Sequence, residues 1–345
     1  MRILVVNAGS SSLKLRLLGP GDVVESVWDA LPAELPAVDV VAHRFVHGGK
    51  DFREAVVIDP TIEAALRTLI PLAPLHQPKS LDALAAVRGM LPHAVQVACF
   101  DTAFHSTLSE PAATYALPRE WIAKYGLRRY GFHGLSHAWA SRRAAELAPS
   151  ARRIVTCQLG AGASLCAVLD GVSVDTTMGF TPLEGLVMAT RSGDVDPGLL
   201  MWLSTREPEL ADVLEHRSGL TGLTGTGDMR ELLGRTDDDA QLAIEVYLHR
   251  LRKGIAAMAA SLGGIDALVF TGGVGENSAE IRQRAVDGLE FLGLGIDPAA
   301  NAAPTSDTDV SAGAARARTL VVAAREDLEM ARQVHRLLGR VDRLT

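Results

Sequence analysis

Cysteine is scarce in this chain: three occur, Cys99, Cys157 and Cys166, all in apolar strand-like stretches and none in a CxxC pair. That scarcity argues against a disulfide framework and a cysteine zinc site, and it fits a reducing cytoplasm. None of the ten histidines has the spacing of an HExxH or similar motif, which argues against histidine-bound zinc. Runs of Lys or Arg are missing and the formal net charge is −7, so nucleic acid and anionic membranes are not expected as partners. No apolar run reaches ~18 residues, and the first residues enter a strand directly rather than a basic, apolar and cleavage-site series. A soluble, untargeted protein is expected. There is also no GxxxxGK[ST] and no GxGxxG opening a helix, which excludes a P-loop and a Rossmann site.

What is present points elsewhere. With 345 residues and 48% hydrophobic composition, the chain can bury a large core, and two domains with a cleft are expected. The start reads as a hairpin: Ile3 to Val6, a turn of small polar residues, then Leu13 to Leu18. A second copy of this plan runs from Ile154 to Leu159, through Gly160-Ala161-Gly162-Ala163-Ser164, to Leu165–Leu169. Two such hairpins half a chain apart imply two related α/β halves. Helical patterns cover Thr61 to Ile70, Ser80 to Met90 and Gln241 to Leu262, the last with apolar Leu242, Val246, Leu248, Leu251, Ile255 and Met258. A strand is expected at Val95 to Phe100, running into Asp101, and another over 267–277. Residues 297–317 read as an exposed connection, and Asp237-Asp238-Asp239 as a solvated loop or helix N-terminus.

Small residues let a ligand approach the backbone, and successive N–H groups in a tight turn form a concavity that attracts anions. Two such turns, with a third glycine cluster at 272–277, point to a nucleotide, although either turn alone is as readily a hairpin closure. Lys14, just beyond the first turn, can meet a phosphoryl oxygen or stand as an exposed strand lysine. Arg44 and Arg191 are candidate phosphoryl or carboxylate holders, since a guanidinium binds both bidentately; for Arg191 the alternative is a structural pair with Asp194 or Asp196. Asp101 and Glu326 follow apolar strands, where open α/β sheets present ligand-binding groups, or else cap helices. Two carboxylates in a phosphate site call for a cation, and Mg²⁺ fits by charge balance. His133 and His76 can donate to a transferring phosphoryl group or simply pack.

The motifs "NAGSSSLK" (7–14), "HRFVHGG" (43–49), "LAPLH" (72–76), "FDTAFH" (100–105), "GFHGLSH" (131–137), "DTTMGFTPLEG" (175–185), "TRSGDVDP" (190–197), "SGLTGLTGTGDMR" (218–230) and "GGVGEN" (272–277) occur in order along the chain. Together they resemble the acetate kinase (acetokinase) family over nearly its whole length. The resemblance implies an α/β fold of two ribonuclease H-like domains of the acetate and sugar kinase/Hsp70/actin superfamily around a central cleft. Residues 1–149, completed by a C-terminal helix at 328–345, would form one domain, and 150–327 the nucleotide-binding one. It also implies a cytoplasmic homodimer that moves a phosphoryl group reversibly between ATP and acetate, giving acetyl phosphate and ADP with Mg²⁺ or Mn²⁺. Propionate or butyrate as acceptor, and pyrophosphate as donor, remain open alternatives, and an ATPase that signals by closing its lobes is a more distant one.

Carried over motif by motif, the resemblance assigns Asp101, Arg44, Arg191, His133 and His76 to the transferring phosphoryl group. Lys14, Ser10, Ser12, Gly160, Gly162, Asp228, Arg230, Gly272, Gly273, Gly275 and Asn277 would hold ATP. Val46, Leu75, Phe132 and Pro182, beside Arg44, would form the acyl pocket, and Asn7 with Glu326 the metal site. Three departures stand out. Ala161 replaces an amide residue of the phosphate loop, Gln77 follows His76 where the family has Asn, and Ala324-Arg325-Glu326-Asp327 replaces TNEE. The segment between Lys14 and His43 is also shorter than the family usually shows.

Overall fold

The computed structural model describes residues 1–9, 13–304 and 307–341. The chain forms two compact units. The first comprises Met1–Ser106, Phe132–Trp139 and the chain from Arg325 on; the second comprises Thr107–Gly131 and Ala140–Ala324. Residues 107–131 and 140–149, assigned above to the first domain, group with the second unit, and 325–327 group with the first.

The first unit is built on a sheet of β1 (Ile3–Ala8), β2 (Leu13–Leu18), β3 (Val24–Trp28), β4 (Val40–Phe45), β5 (Val56–Val57) and β6 (Val95–Phe100) in the order β3-β2-β1-β4-β6-β5. β1, β2 and β3 pair antiparallel, whereas β1, β4 and β6 run parallel. Parallel strands are covered on both faces, so they read as unbroken apolar runs. Ile3 and Val5 pack with Met330, Ala331 and Val334 of the helix Glu326–Val341. The alternate residues Leu4 and Val6 pack with Ala83 and Val87 of the helix Gln77–Met90.

The second unit repeats the design. Its sheet holds β7 (Arg153–Leu159), β8 (Ala163–Leu169), β9 (Val172–Thr176), β10 (Ala267–Thr271), β11 (Thr308–Asp309) and β12 (Arg318–Val321) in the order β11-β12-β10-β7-β8-β9. β7, β8 and β9 are antiparallel, β10 runs parallel to both β7 and β12, and a two-residue edge strand closes the sheet, as β5 does in the first. The doubled hairpin of the sequence is the visible part of this duplication.

Several expectations need correction. The apolar run into GGVGEN is not one strand: β10 stops at Thr271, and Gly272–Asn277 is a short helix, entered at Gly272 with φ +81°. In the helix Asp238–Ser261, Leu242 is 60% exposed, because the buried stripe runs through Ala240, Ala243, Ile244 and Tyr247 before reaching Leu248. Asp237 is the N-cap of that helix and accepts from Ala240 N–H. The stretch 297–317 is not simply exposed: Asn301, Val310 and Ala317 are buried, and Asn301 Oδ1 accepts from the fully buried Arg282 at 2.7 Å.

Candidate functional site

In the first unit the three parallel strands end together, and each delivers one polar residue: Asn7 on β1, Arg44 on β4 and Asp101 just past β6. Arg44 Nε donates to Asp101 Oδ1 at 3.0 Å and Nη2 to Oδ2 at 2.5 Å, a bidentate pair whose carboxylate is almost wholly buried. Arg44 Nη1 donates to Asn7 Oδ1 (3.0 Å), and Asn7 Nδ2 donates to Glu326 Oε2 (3.2 Å) at the start of the last helix. Four segments thus meet in one string, Asp101–Arg44–Asn7–Glu326. Burial raises the Glu326 carboxyl above its usual range, opposed by Arg44 and reinforced by Asp101. Burial works against the charged Arg44, but Asp101 and Glu326 outweigh it and hold its pKa above the ordinary value. Neither carboxylate is spent as a helix cap: Asp101 faces Arg44, and Glu326 faces Asn7.

The neighbouring loops are tied to this string. Gly134 opens the helix Gly134–Leu147, and its N–H donates to the Asp101 carbonyl at 2.8 Å; a Cβ there would sit 2.2 Å from that oxygen. His133, just before it, has φ 56°, a strained conformation for a residue with a side chain. Phe132 is buried, with His105 Nε2 3.0 Å from its carbonyl, which can only accept; that nitrogen therefore carries the proton. Val46 is also buried, whereas Leu75 is 42% exposed. His76 occupies the N-cap position of the helix Gln77–Met90. The Gln77 side chain turns into the core, where Nε2 donates to the carbonyls of His47 (3.4 Å) and Leu66 (3.3 Å); at this departure the amide is a structural tie. Lys14 is exposed on β2, in register with Asn7. Ser10 and Ser12 lie outside the described residues.

In the second unit the turn 160–162 closes with Gly160 N–H on the Gly162 carbonyl (3.0 Å). Ala161, which has no side-chain donor, keeps its place through its backbone: its carbonyl accepts from Ala189 N–H at 3.0 Å, tying the turn to the loop that carries Arg191. That loop is pinned from its other side by Ser218 N–H on Thr190 O and Leu220 N–H on Met188 O. Gly219, at φ +59°, lies so close that a Cβ would be 2.2 Å from Met188 O.

Arg191 itself is half-buried. Its Nη1 donates to the Pro182 carbonyl at 3.4 Å and lies 3.8 Å from Met188 Sδ. Among the described residues it forms no ion pair: Asp194 accepts from Gly185 N–H, and Asp196 caps the helix Pro197–Ser204. Burial therefore lowers its pKa, offset in part by Glu215. A half-buried guanidinium with no carboxylate on it is suited to a mobile anion.

The nucleotide candidates are arranged less tightly. Asp228 caps the helix Met229–Leu233, and its carboxyl is pushed down to about 2, chiefly by the Arg230 side chain bonded to it. Gly272 is a necessary glycine, since a Cβ would lie 2.8 Å from the Leu159 carbonyl, while Gly273 has open space around it. Gly272 N–H donates to Glu276 Oε1, which also accepts from Ala324 N–H, both at 3.0 Å. Asn277 Nδ2 donates back to the Gly273 carbonyl (2.9 Å), and Gly275 is buried.

Two clusters escaped the sequence reading. Asp327 is gripped by Arg325 and Arg16, beside Glu326. Tyr115, Arg129 and Glu184 converge in the second unit. Arg129 and Glu184 lie within or beside quoted motifs, but Tyr115 and Glu184 are 69 residues apart, and no local pattern joins them.

The chain's likenesses to known proteins are close. The model of the acetokinase family matches residues 23–332. Acetate kinase of Nostoc punctiforme is 46% identical over 315 residues, covering 88% of this chain and 78% of that protein. Acetate kinase of Microcystis aeruginosa is 45% identical over 396 aligned positions, covering 96% and 98%. Among solved structures, Porphyromonas gingivalis acetate kinase superposes with a TM-score of 0.89 at 34% identity, covering 98% of this chain and 99% of that one. A propionate kinase from Francisella tularensis also gives 0.89 at 34%, covering 97% and 99%.

Proposed function

This chain belongs to the acetokinase family, and from that premise we propose that it is an acetate kinase, moving the γ-phosphoryl group of ATP reversibly to acetate. The observation that supports this reading is the string Asp101–Arg44–Asn7–Glu326, one hydrogen-bonded set that joins two residues the resemblance assigns to the phosphoryl group, Asp101 and Arg44, with the two it assigns to the metal, Asn7 and Glu326.

Acetate is ionised at neutral pH and needs no general base, so positioning and charge carry the catalysis. Arg44, oriented by Asp101, and Arg191, free of any ion pair among the described residues, meet the negative oxygens of the transferring group. His133 donates to the same group, and His76 lies at its margin. The acyl methyl rests on Val46, Leu75, Phe132 and Pro182. Lys14, Ser10, Ser12, Gly160 and Gly162 hold the phosphates of ATP. Asp228, Arg230, Gly272, Gly273, Gly275 and Asn277 hold its nucleoside end.

Glu326, with Asn7 on one of its oxygens, suits a hard cation that takes its remaining ligands from water and phosphate. Among the described residues no group of three or more His, Cys, Asp or Glu is placed to hold a metal ion. Glu326 would hold the ion, and when bound it would neutralise phosphate charge. On the family resemblance we extend the reading to a cytoplasmic homodimer.

The test is ADP and acyl phosphate formation with ATP or pyrophosphate as donor, and acetate, propionate or butyrate as acceptor, with and without Mg²⁺. Acetate with ATP, dependent on Mg²⁺, is the expected best pair. One methylene is worth ~1–3 kcal/mol, so the preference will be graded. No acyl phosphate from any pair would overturn the reading.

A further inference from the structure

The loop from Thr177 to Gly185 is anchored by Met178, which is fully buried, and by Phe180, whose ring centroid lies 5.9 Å from that of Tyr130, but its two ends border open space. A cavity of about 240 Å³ lies against it, lined by Arg129, Thr177, Glu184, Gly185, Asp194 and Met258 among others. Over 181–184 the loop is only partly buried, and polar contacts hold it there. The Tyr115 hydroxyl donates to Glu184 Oε2 at 2.5 Å and accepts from Phe180 N–H at 2.8 Å. Arg129 Nη2 donates to Glu184 Oε1, and its Nη1 donates to the carbonyls of Thr177 and Met178, both at 3.1 Å. The same guanidinium lies 5.7 Å from the Tyr115 ring centroid. The N–H groups of Tyr130 and Gly131 close on the Gly179 carbonyl at 3.0 and 3.2 Å.

The fit is tight where the clamp crosses the loop. A Cβ on Gly179 would lie 1.6 Å from Glu184 Oε2 and 2.1 Å from the Tyr115 oxygen. Burial and the Glu184 carboxylate push the Tyr115 phenol pKa upward, so it remains a donor. Pro182 sits inside the clamped segment, and its carbonyl accepts from Arg191 Nη1.

We propose that Tyr115, Arg129 and Glu184 are positioning residues that fix Pro182 and, through its carbonyl, Arg191, and so set the acyl chain length the enzyme accepts. This rests on the reading of Pro182 as an acyl contact. The clamp acts through the loop, Tyr115 and Arg129 bonding to Glu184, Phe180, Thr177 and Met178. Loosening it lets the loop settle toward the cavity and enlarges the space over the acyl methyl. Acetate then loses contact, while propionate loses less.

The test compares wild type with Tyr115→Phe, Gly179→Ala and Pro182→Ala, each assayed with acetate and propionate at saturating ATP. Tyr115→Phe keeps the ring but deletes one donor and one acceptor, a loss worth roughly twofold to tenfold in binding. The expected result is a rise of that size in KM for acetate, an unchanged KM for ATP, and a propionate-to-acetate ratio of kcat/KM raised in all three variants. Glu184→Gln combined with Tyr115→Phe should change the ratio little beyond Tyr115→Phe alone, because both break one device. A fall in kcat shared equally by both acceptors, with the ratio unmoved, marks a folding defect only and overturns the proposal. If Pro182→Ala moves the ratio and Tyr115→Phe does not, the clamp falls while the acyl reading of Pro182 stands. If neither moves it, both fall, and if Tyr115→Phe alone moves it, the route through Pro182 is overturned.

Discussion

Arg44 and Asp101 meet edge to edge, Nε on Oδ1 at 3.0 Å and Nη2 on Oδ2 at 2.5 Å, with the carboxylate nearly excluded from solvent. The pair uses one edge of the guanidinium and leaves Nη1 to Asn7, so the group is held in plane from two strands at once. A side chain locked this way is organised in advance of any ligand, which is the condition for large electrostatic stabilisation.

Replacing the fork with a point charge should therefore fail. Arg44→Lys keeps the charge but cannot span both oxygens of Asp101. Its turnover is expected to fall by ~10² or more, and Asp101→Asn should behave similarly, with the double variant little worse than either single one. Steady-state kinetics check this, and near-normal turnover for Arg44→Lys would count against it.

Arg191 is the opposite case. With no ion pair among the described residues to break, Arg191→Ala should leave the melting temperature unchanged or slightly raised. Its rate should still drop about a hundredfold, ~3 kcal/mol of transition-state stabilisation. Calorimetry and kcat measured on one preparation separate the two effects.

Gly134→Ala tests the contact between helix start and strand end. The added methyl would lie 2.2 Å from the Asp101 carbonyl and 2.9 Å from Phe104 Cβ, so backbone must shift, at a cost of ~1–3 kcal/mol. Because that shift moves Asp101, kcat is expected to fall along with the melting temperature. Loss of stability at full turnover would show that Asp101 tolerates displacement.

Acid should destabilise the first unit through its buried histidines. Burial lowers the pKa of His43, His47 and His105 to about 4 each, against an unfolded value near 6.5. Between those values only the unfolded chain takes up the protons. Stability is therefore complete above pH ~6.5 and is lost as pH falls toward about 4, at up to ~1.4 kcal/mol per pH unit for each histidine. Chemical denaturation at several pH values measures the slope, and His43→Gln should flatten it. An unchanged slope in that variant would remove His43 from the account.

The motifs and elements that were legible before folding share one property, locality. The apolar run Val95 to Phe100 marks the observed limits of β6, and the hairpins, the long helix and the doubled plan follow from periodicity and turn residues. GGVGEN reads in sequence as a continuing strand because a glycine at φ +81° ends β10 without any apolar signal. Leu242 fits the helical period yet lies exposed, because period alone cannot choose between a Leu on one flank and an Ala on the other.

Composition and order along the chain were enough for the family and the doubled α/β design. Which side chains touch was settled by folding: Asn7 reaches Glu326 across 319 residues, and Tyr115 reaches Glu184 across 69. Hydrogen bonds act over about 3 Å and carry no trace of the chain length between their ends. Such partners become visible when strand register and helix packing have brought the segments together.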